Sequence, residues 1–320
     1  PFNGYTINKF PVSVDKFRIP PKELEEMLPQ QSLMLQVAGR AILDAGLTEK
    51  DRMRTGVFIG IGLDLNTTNF QLRWWIPEKA RDWANQLGQD LSNEELDIWI
   101  QSLRKAAGPP LTANKTMGAL GGIVARRIAR EFHIGGPSFT ISSEESSGIR
   151  ALETAVRLLE NGTIDHAVVG AVDLASDIRS VLGTHFGRAF SASGKIRPFE
   201  PDADGTIIGE GAAAVILKRL DRAASEDSRI YAVIKGIGVA SGGGIESLVP
   251  DPETCRTAML RAYDNEGMDL NSVGYLEAHG SGIRDEDRME AQALQQFFPS
   301  GRKDVPCPLG SVKTHIGHTG

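Results

Sequence analysis

Pro137-Ser138-Phe139-Thr140-Ile141-Ser142-Ser143-Glu144-Glu145-Ser146-Ser147 is the stretch on which the fold turns. Gly135-Gly136-Pro137 stops whatever precedes it, and Ser138 to Ile141 then reads as a short strand. The polar run that follows leads into Ile149, Leu152, Val156 and Leu159, which recur at helical spacing and predict an apolar helix face, with Gly162 as the cap. Strand, polar turn and helix in that order present a side chain of the turn at the N-terminus of the helix.

Upstream of it, Thr112 opens a helix read through Met117, Leu120, Ile123, Val124 and Ile128. Pro29-Gln30 opens another, whose core face is Met34, Val37, Ala38, Ala41 and Ala45 and whose cap is Gly46. Val57, Phe58 and Ile59 between glycines read as a buried strand. Downstream, His166 to Val172 is the next strand, and Gly205, Gly209 and Gly211 punctuate a loop entering the apolar run Ala212 to Leu217. Lys218 to Arg229 reads as a surface crossover. A second set of strand and helix signals starts at Ile230 and includes a helix from Cys255 to Asn265. Strands alternating with helices imply an α/β fold with a mostly parallel sheet.

Residues 64–113 differ in texture and hold all four tryptophans of the chain, Trp74, Trp75, Trp83 and Trp99. Two readings fit: a lid or partner-contacting insertion, since aromatics anchor interfaces, or an ordinary amphipathic excursion capping the core.

Bulk properties narrow the function classes. The 320 residues are 41% hydrophobic and 24% charged, the balance of a globular protein with a sizeable core. The net charge of -6 is spread along the chain, so no basic stripe offers itself to nucleic acid. No apolar run approaches the roughly 20 residues that span a bilayer, and no basic-then-apolar leader opens the chain, so membrane insertion is not expected and a cytoplasmic location is. The two cysteines, Cys255 and Cys307, have no metal or disulfide spacing. Cys255 falls at a helix start, where the dipole would lower its thiol pKa; a small packed side chain is the plainer reading. The Gly-rich segments lack a phosphate loop with its lysine, so no nucleotide, nicotinamide or metal is expected.

Asp202-Ala203-Asp204-Gly205 followed by Gly209-Glu210-Gly211-Ala212-Ala213 closely resembles the β-ketoacyl synthases of fatty acid and polyketide assembly. Three further stretches resemble that family in the same order: Met27-Leu28-Pro29-Gln30-Gln31, Glu277-Ala278-His279-Gly280-Ser281-Gly282, and Gly310-Ser311-Val312-Lys313-Thr314-His315-Ile316-Gly317-His318. The resemblance implies a thiolase-like fold of two similar βαβαβ halves in five layers, dimerising through a central strand. The halves would be residues 1–219, with the insertion at about 64–113, and 220–320. It also implies that both ends are truncated, leaving the second half incomplete.

The family's acyl-accepting cysteine follows the strand Pro-Ser-Phe-Thr-hydrophobic after three further residues, and that count ends on Glu145. A thiolate exchanges with a thioester at little cost, whereas a carboxylate would have to form an anhydride far uphill of it. Condensation through residue 145 is therefore expected to fail. Glu145 also has a reading without chemistry, as an acid in the first turn of a helix stabilised by about 0.3 to 1 kcal/mol from the dipole; Ser142, Ser143 and Glu144 suit capping in the same way.

By the same resemblance, His279 and His318 correspond to the pair that hydrogen-bonds a malonyl thioester carbonyl and stabilises the enolate left by carbon dioxide. Lys313 corresponds to the supporting lysine. His315 stands where the family usually has asparagine, and Ile283 where it usually has threonine. Two branches of the family lack the cysteine. One is the chain-length factor, a non-catalytic partner that forms a pseudo-heterodimer with an active ketosynthase; the other decarboxylates malonyl-carrier protein, usually with glutamine at the nucleophile position. Leu63-Asp64-Leu65-Asn66-Thr67-Thr68-Asn69-Phe70 and Thr112-Ala113-Asn114-Lys115-Thr116-Met117-Gly118 resemble the chain-length-factor region of polyunsaturated fatty acid and related synthases. An ionised Glu145 about 4 Å from a malonyl carboxylate would repel it by roughly 4 kcal/mol at an effective dielectric of 20, which favours the first branch. The retained histidines favour the second. The expected partners are a ketosynthase, or a second copy, and an acyl carrier protein delivering acyl or malonyl groups on phosphopantetheine.

Overall fold

The computed structural model describes residues 4–62, 68–108, 110, 112–174, 178–242, 251–263, 269–298 and 307–319. In chain order, α1 (Pro21–Glu26), α2 (Pro29–Asp44) and α3 (Glu49–Arg52) precede β1 (Thr55–Ile61), and α4 (Thr68–Gln86), α5 (Asn93–Ala106), α6 (Ala113–Ala119) and α7 (Ile123–Glu131) lead to β2 (Ser138–Ile141). The chain continues through α8 (Ser147–Glu160), β3 (His166–Asp173), α9 (Ile178–Gly187), β4 (Gly211–Lys218) and α10 (Leu220–Ser225). Then come α11 (Pro252–Tyr263), β5 (Leu276–Glu277), α12 (Arg284–Phe297), β6 (Leu309–Gly310) and α13 (Lys313–Ile316).

The main sheet has the order β2-β1-β3-β4. β1 lies parallel to both β2 and β3, and β4 closes the sheet antiparallel to β3 along its whole length, Asp173 facing Gly211 and His166 facing Lys218. Every residue of β1 is buried, as a strand covered on both faces must be. On one face lie α2 and α7, whose Met34, Leu35, Ala38, Val124 and Ile128 pack with Val57, Ile59 and Val168. On the other lies α8, whose Ala151, Ala155 and Leu159 pack with Phe58, Ala167 and Val169. Ile149, placed on the buried face by periodicity alone, is 50% exposed: the small Ala151 and Ala155 let the helix sit close to the sheet, and the contact face rotates onto them.

The helix expected as one piece from Thr112 is two. Leu120 adopts an extended conformation ahead of Gly121-Gly122, so α6 ends there and α7 begins anew. Met117 and Leu120 are correspondingly exposed. The tryptophan-rich insertion forms a helical hairpin, α4 against α5, with a small core of its own built on Ile76, Ala80, Leu96 and Ile100. Trp83 and Trp99 pack on that core, while Trp74 and Trp75 point outward. Of Leu63–Phe70, residues 63–67 lie outside the described residues.

The strand expected from Ile230 is not formed among the described residues 230–242, where Val233 and Ile234 are exposed and no neighbouring strand supplies a ladder. Around Val239 the backbone is held instead by a side chain, Arg261 donating to its carbonyl at 2.5 Å. β5 and β6 make a separate two-stranded parallel pair that carries the histidine loops.

Gly60 at the end of β1 decides where the turn before α8 can sit. A Cβ there would lie 2.6 Å from the backbone of Ser147 and Gly148, closer than real contacts allow. Gly60→Ala is therefore expected to cost about 1–3 kcal/mol by overpacking and to push the 143–147 turn off the sheet, measurable as a drop in the urea midpoint. A variant as stable as the parent would mean that α8 moves freely.

Candidate functional site

Glu145 stands two residues before α8, at an elbow. Glu144, immediately before it, has φ +49°, a left-handed conformation that costs a non-glycine residue energy and recurs at functional turns. The serines stitch this elbow to itself. The Ser143 amide donates to Ser147 Oγ at 2.8 Å, Ser147 Oγ donates to the Glu144 carbonyl at 2.5 Å, and Ser146 Oγ donates to the Ser143 carbonyl at 2.8 Å. No side chain caps α8, and its first turn contains no acid. The reading of Glu145 as a dipole-stabilised first-turn acid is thus replaced: its partner is a guanidinium.

That guanidinium belongs to Arg188, just after α9. Arg188 Nη1 is hydrogen-bonded to Glu145 Oε1 and lies 3.2 Å from His318 Nε2, while Nε donates to Glu286 Oε1 at 3.0 Å. The other oxygen of Glu286 is 3.3 Å from His279 Nε2. The two imidazole rings meet edge to face, centroids 5.3 Å apart, and His318 Nε2 is 3.9 Å from Glu145 Oε2. The three residues singled out as Glu145, His279 and His318 are therefore brought together, with Arg188 and Glu286 as the groups that sequence reasoning missed.

Backbone geometry fixes both histidines. His318 forms a bridge with Ile208: its amide donates to the Ile207 carbonyl at 2.7 Å, and its carbonyl accepts from Gly209 at 2.8 Å. A Cβ on Gly209 would overlap the Ile316 carbonyl, so that approach needs glycine. His279 follows β5, and its amide and that of Gly280 donate to the two oxygens of Glu290 at 2.7 and 2.9 Å. The acidic residues of the 202–211 motif are ties: Asp204 accepts from Ser191 Oγ at 2.7 Å and the Ser193 amide at 2.8 Å, and Glu210 accepts from the Ile7 amide at 2.7 Å. Lys313 opens α13, where burial pushes its ammonium pKa down against the pull of Glu290, Glu145 and Glu277. His315 is exposed, and Ile283 is the residue preceding α12.

Charge follows from these neighbours. Burial opposes ionisation of Glu145, but the hydrogen bond and charge of Arg188 outweigh burial and hold the carboxyl below its ordinary range. In Glu286, 6% exposed, burial is likewise overcome by the hydrogen bonds of His279 and Ser281 and the charge of Arg188, which bring it down to about 2. Burial pushes His318 the other way, down to about 4, only partly offset by Glu145. The site is thus an ionised, paired one holding a neutral His318. Arg188 also removes the simple repulsion argument, because a guanidinium on Glu145 cancels most of the charge an incoming carboxylate would meet. The ligand atoms of Glu145, His279 and His318 lie within 4.8 Å of one another, a spacing that suits a cation, and Arg188 takes that place.

Cys255 is far from the reactive state that a helix start suggested. Its thiol packs on Met289 Sδ at 3.6 Å, and burial, with Glu290 and Asp251 nearby, pushes its pKa up.

These shifts set an acid limb. Unfolded, His318 takes up its proton near 6.5 and Glu286 near 4.5; folded, they do so near 4 and near 2. Through these two groups the unfolded chain binds more protons across pH 6.5 to 2, so their contribution to stability is full above about 6.5 and is lost on acidification. Chemical denaturation between pH 8 and 4 should show this decline, and His318→Gln should make it shallower above pH 4.5, the remainder coming from buried His166, whose pKa burial also lowers. A His318→Gln profile parallel to the parent's would contradict it.

A cavity of about 500 Å³ opens over the elbow, lined by Gly62, Glu145, Ile149, Ala212 and Ile316 among others. Among the described residues no helix is long and apolar enough to cross a membrane.

Residues 4–223 match the β-ketoacyl synthase N-terminal domain and residues 231–320 the β-ketoacyl synthase C-terminal domain. Polyketide synthase ThaG of Burkholderia thailandensis is 34% identical over 312 residues, 95% of this chain and 5% of that protein. Polyketide synthase PksN of Bacillus subtilis is 31% identical over 312 residues, 94% of this chain and 5% of that protein. Among solved structures, the oxazolomycin ketosynthase domain OzmH KS7 of Streptomyces albus superposes with a TM-score of 0.74 at 28% identity, covering 95% of this chain and 47% of its own. The ketosynthase from module 6 of the bacillaene synthase of Bacillus subtilis gives 0.72 at 28% identity, covering 95% and 47%. The chain thus spans a small part of the synthases it matches and about half of the ketosynthase chains. It has the thiolase-type fold of those ketosynthases, and it belongs to the β-ketoacyl synthase family.

Proposed function

We propose that this chain is a non-condensing ketosynthase domain of the chain-length-factor type, working beside an active ketosynthase on acyl chains tethered to a carrier protein. The observation that carries this reading is the Glu145–Arg188 ion pair at the nucleophile position. An acyl group cannot transfer to a carboxylate without forming an anhydride, and the pair lies against His318. Neither thiol of the chain offers a substitute: Cys255 is packed on Met289 and Cys307 lies by the Pro308 carbonyl.

Partners follow the same reading. β2 is an edge strand of the sheet with Phe139 41% exposed, a surface suited to strand pairing across a dimer or pseudo-heterodimer. The outward Trp74 and Trp75 suit a contact role for the insertion. Acyl and malonyl groups would arrive on the phosphopantetheine of an acyl carrier protein. The division at 219/220 into two halves belongs to this proposal.

The competing reading is a malonyl-carrier-protein decarboxylase, favoured by the juxtaposed His279 and His318. Carbon dioxide release from malonyl-carrier protein separates the two, measured on the domain within its intact polypeptide, alone and as His318→Ala. No release, together with a changed product length when the domain is paired with an active ketosynthase, is the expected result. Release that disappears with His318 would overturn it in favour of the decarboxylase.

A further inference from the structure

A guanidinium has five N–H donors and no acceptor. Arg188 Nη1 stands 3.2 Å from His318 Nε2, so in that contact the imidazole nitrogen accepts. The proton of a neutral His318 then sits on Nδ1. Its low proton affinity, caused chiefly by burial, agrees with a ring that stays neutral at this spot. His279 is committed as well, its Nε2 facing the Glu286 carboxylate at 3.3 Å. Glu286 and Glu145 hold Arg188 from two sides, and the Arg188 side chain is only 16% exposed.

We infer that Arg188 is a positioning residue that silences the histidine pair: by donating to Nε2 it holds His318 in the Nδ1–H tautomer, unable to offer an Nε2–H to a thioester carbonyl. This inference rests on the non-condensing reading and supplies its cause. The residue at 145 removes condensation, and Arg188 removes decarboxylation.

The silenced step is the cleavage of the bond between the malonyl carboxylate carbon and the α-carbon. Carbon dioxide leaves, the electron pair passes into the thioester enolate, and a water proton on the α-carbon completes the acetyl thioester. The enolate oxygen needs N–H donors aimed at it as its charge develops. An acceptor nitrogen already bonded to Arg188 supplies none.

Two measurements test this on the domain within its intact polypeptide. The first is the nitrogen NMR spectrum of ¹⁵N-histidine-labelled protein near neutral pH, with His318→Gln for assignment. His318 Nε2 is expected to be unprotonated in the parent, and a protonated Nε2 there overturns the inference whether or not any variant folds. The second is carbon dioxide release from malonyl-carrier protein by Glu145→Gln and by the double variant Glu145→Gln/Arg188→Gln, which keeps an amide beside Glu286. Glu145→Gln alone should stay silent. The double variant should release at least about tenfold more, with Nε2–H appearing in its spectrum and the activity disappearing on adding His318→Ala. Release from Glu145→Gln alone, or a silent, folded double variant, would overturn it. Release from the parent itself would instead sink the non-condensing reading, while the parent's tautomer still judges Arg188 separately.

Discussion

Glu145→Cys converts residue 145 into the fastest-alkylated thiol of the protein. The new side chain would sit at the elbow before α8, near the two imidazoles and beside the guanidinium of Arg188, which now holds Glu145 ionised. Surroundings that favour a carboxylate favour a thiolate for the same reason, and cysteines so placed have pKa values of about 3.5 to 7.5 against an ordinary 8.5 or so. A drop of one unit or more raises the thiolate fraction at neutral pH about tenfold, and the iodoacetamide rate should rise several-fold or more. Cys255 is the internal control, because burial and the nearby carboxylates push its pKa up. Mass spectrometry of the alkylated protein reads both sites at once. Labelling of Cys255 ahead of the introduced thiol would mean that Arg188 does not face residue 145 in solution.

Glu286→Ala should be the most destabilising single substitution in the site, at about 3–5 kcal/mol. Glu286 is 6% exposed and holds Arg188 Nε with one oxygen and faces His279 Nε2 with the other. Truncation leaves a mostly buried guanidinium with half its partners and an imidazole with none on that side, and breaking a buried pair from one end costs more than the pair contributes. Asp285, one residue earlier and exposed, provides the comparison: Asp285→Ala should stay within about 0.5 kcal/mol. Urea denaturation of both variants measures the difference. A Glu286 variant within about 1 kcal/mol of the parent would show that water reaches Arg188 and that the network is not closed.

Much of the fold was legible because it is written in local patterns. β2 runs from Ser138 to Ile141 as its residues suggest, α2 begins at Pro29, and Gly46 lies beyond its end with φ +62°. Where the patterns misled, packing was the cause. Ile149 belongs to an apolar helical stripe, yet the sheet accepts the small face of α8; the helix from Thr112 breaks because Gly121-Gly122 lets the chain turn onto the sheet. An isolated strand signal at Ile230 found no ladder among the described residues.

The sequence by itself determined which side chain stands at residue 145. The carboxylate at residue 145 is a fact of side-chain identity, and ordered motifs pointed to His279 and His318, which the fold brings beside it. Only the tertiary structure decided what that carboxylate does. Arg188 lies 43 residues after Glu145, Glu286 lies 98 residues beyond Arg188, and neither stands in a motif that points to the other. Arg284-Asp285-Glu286-Asp287 is a run of charge that opens α12, and in the fold Glu286 turns inward and meets Arg188. Propensity and periodicity report on neighbours three or four residues apart. Charges brought from distant elements are paired by packing, which places them within a few ångströms in a medium where each must find a partner.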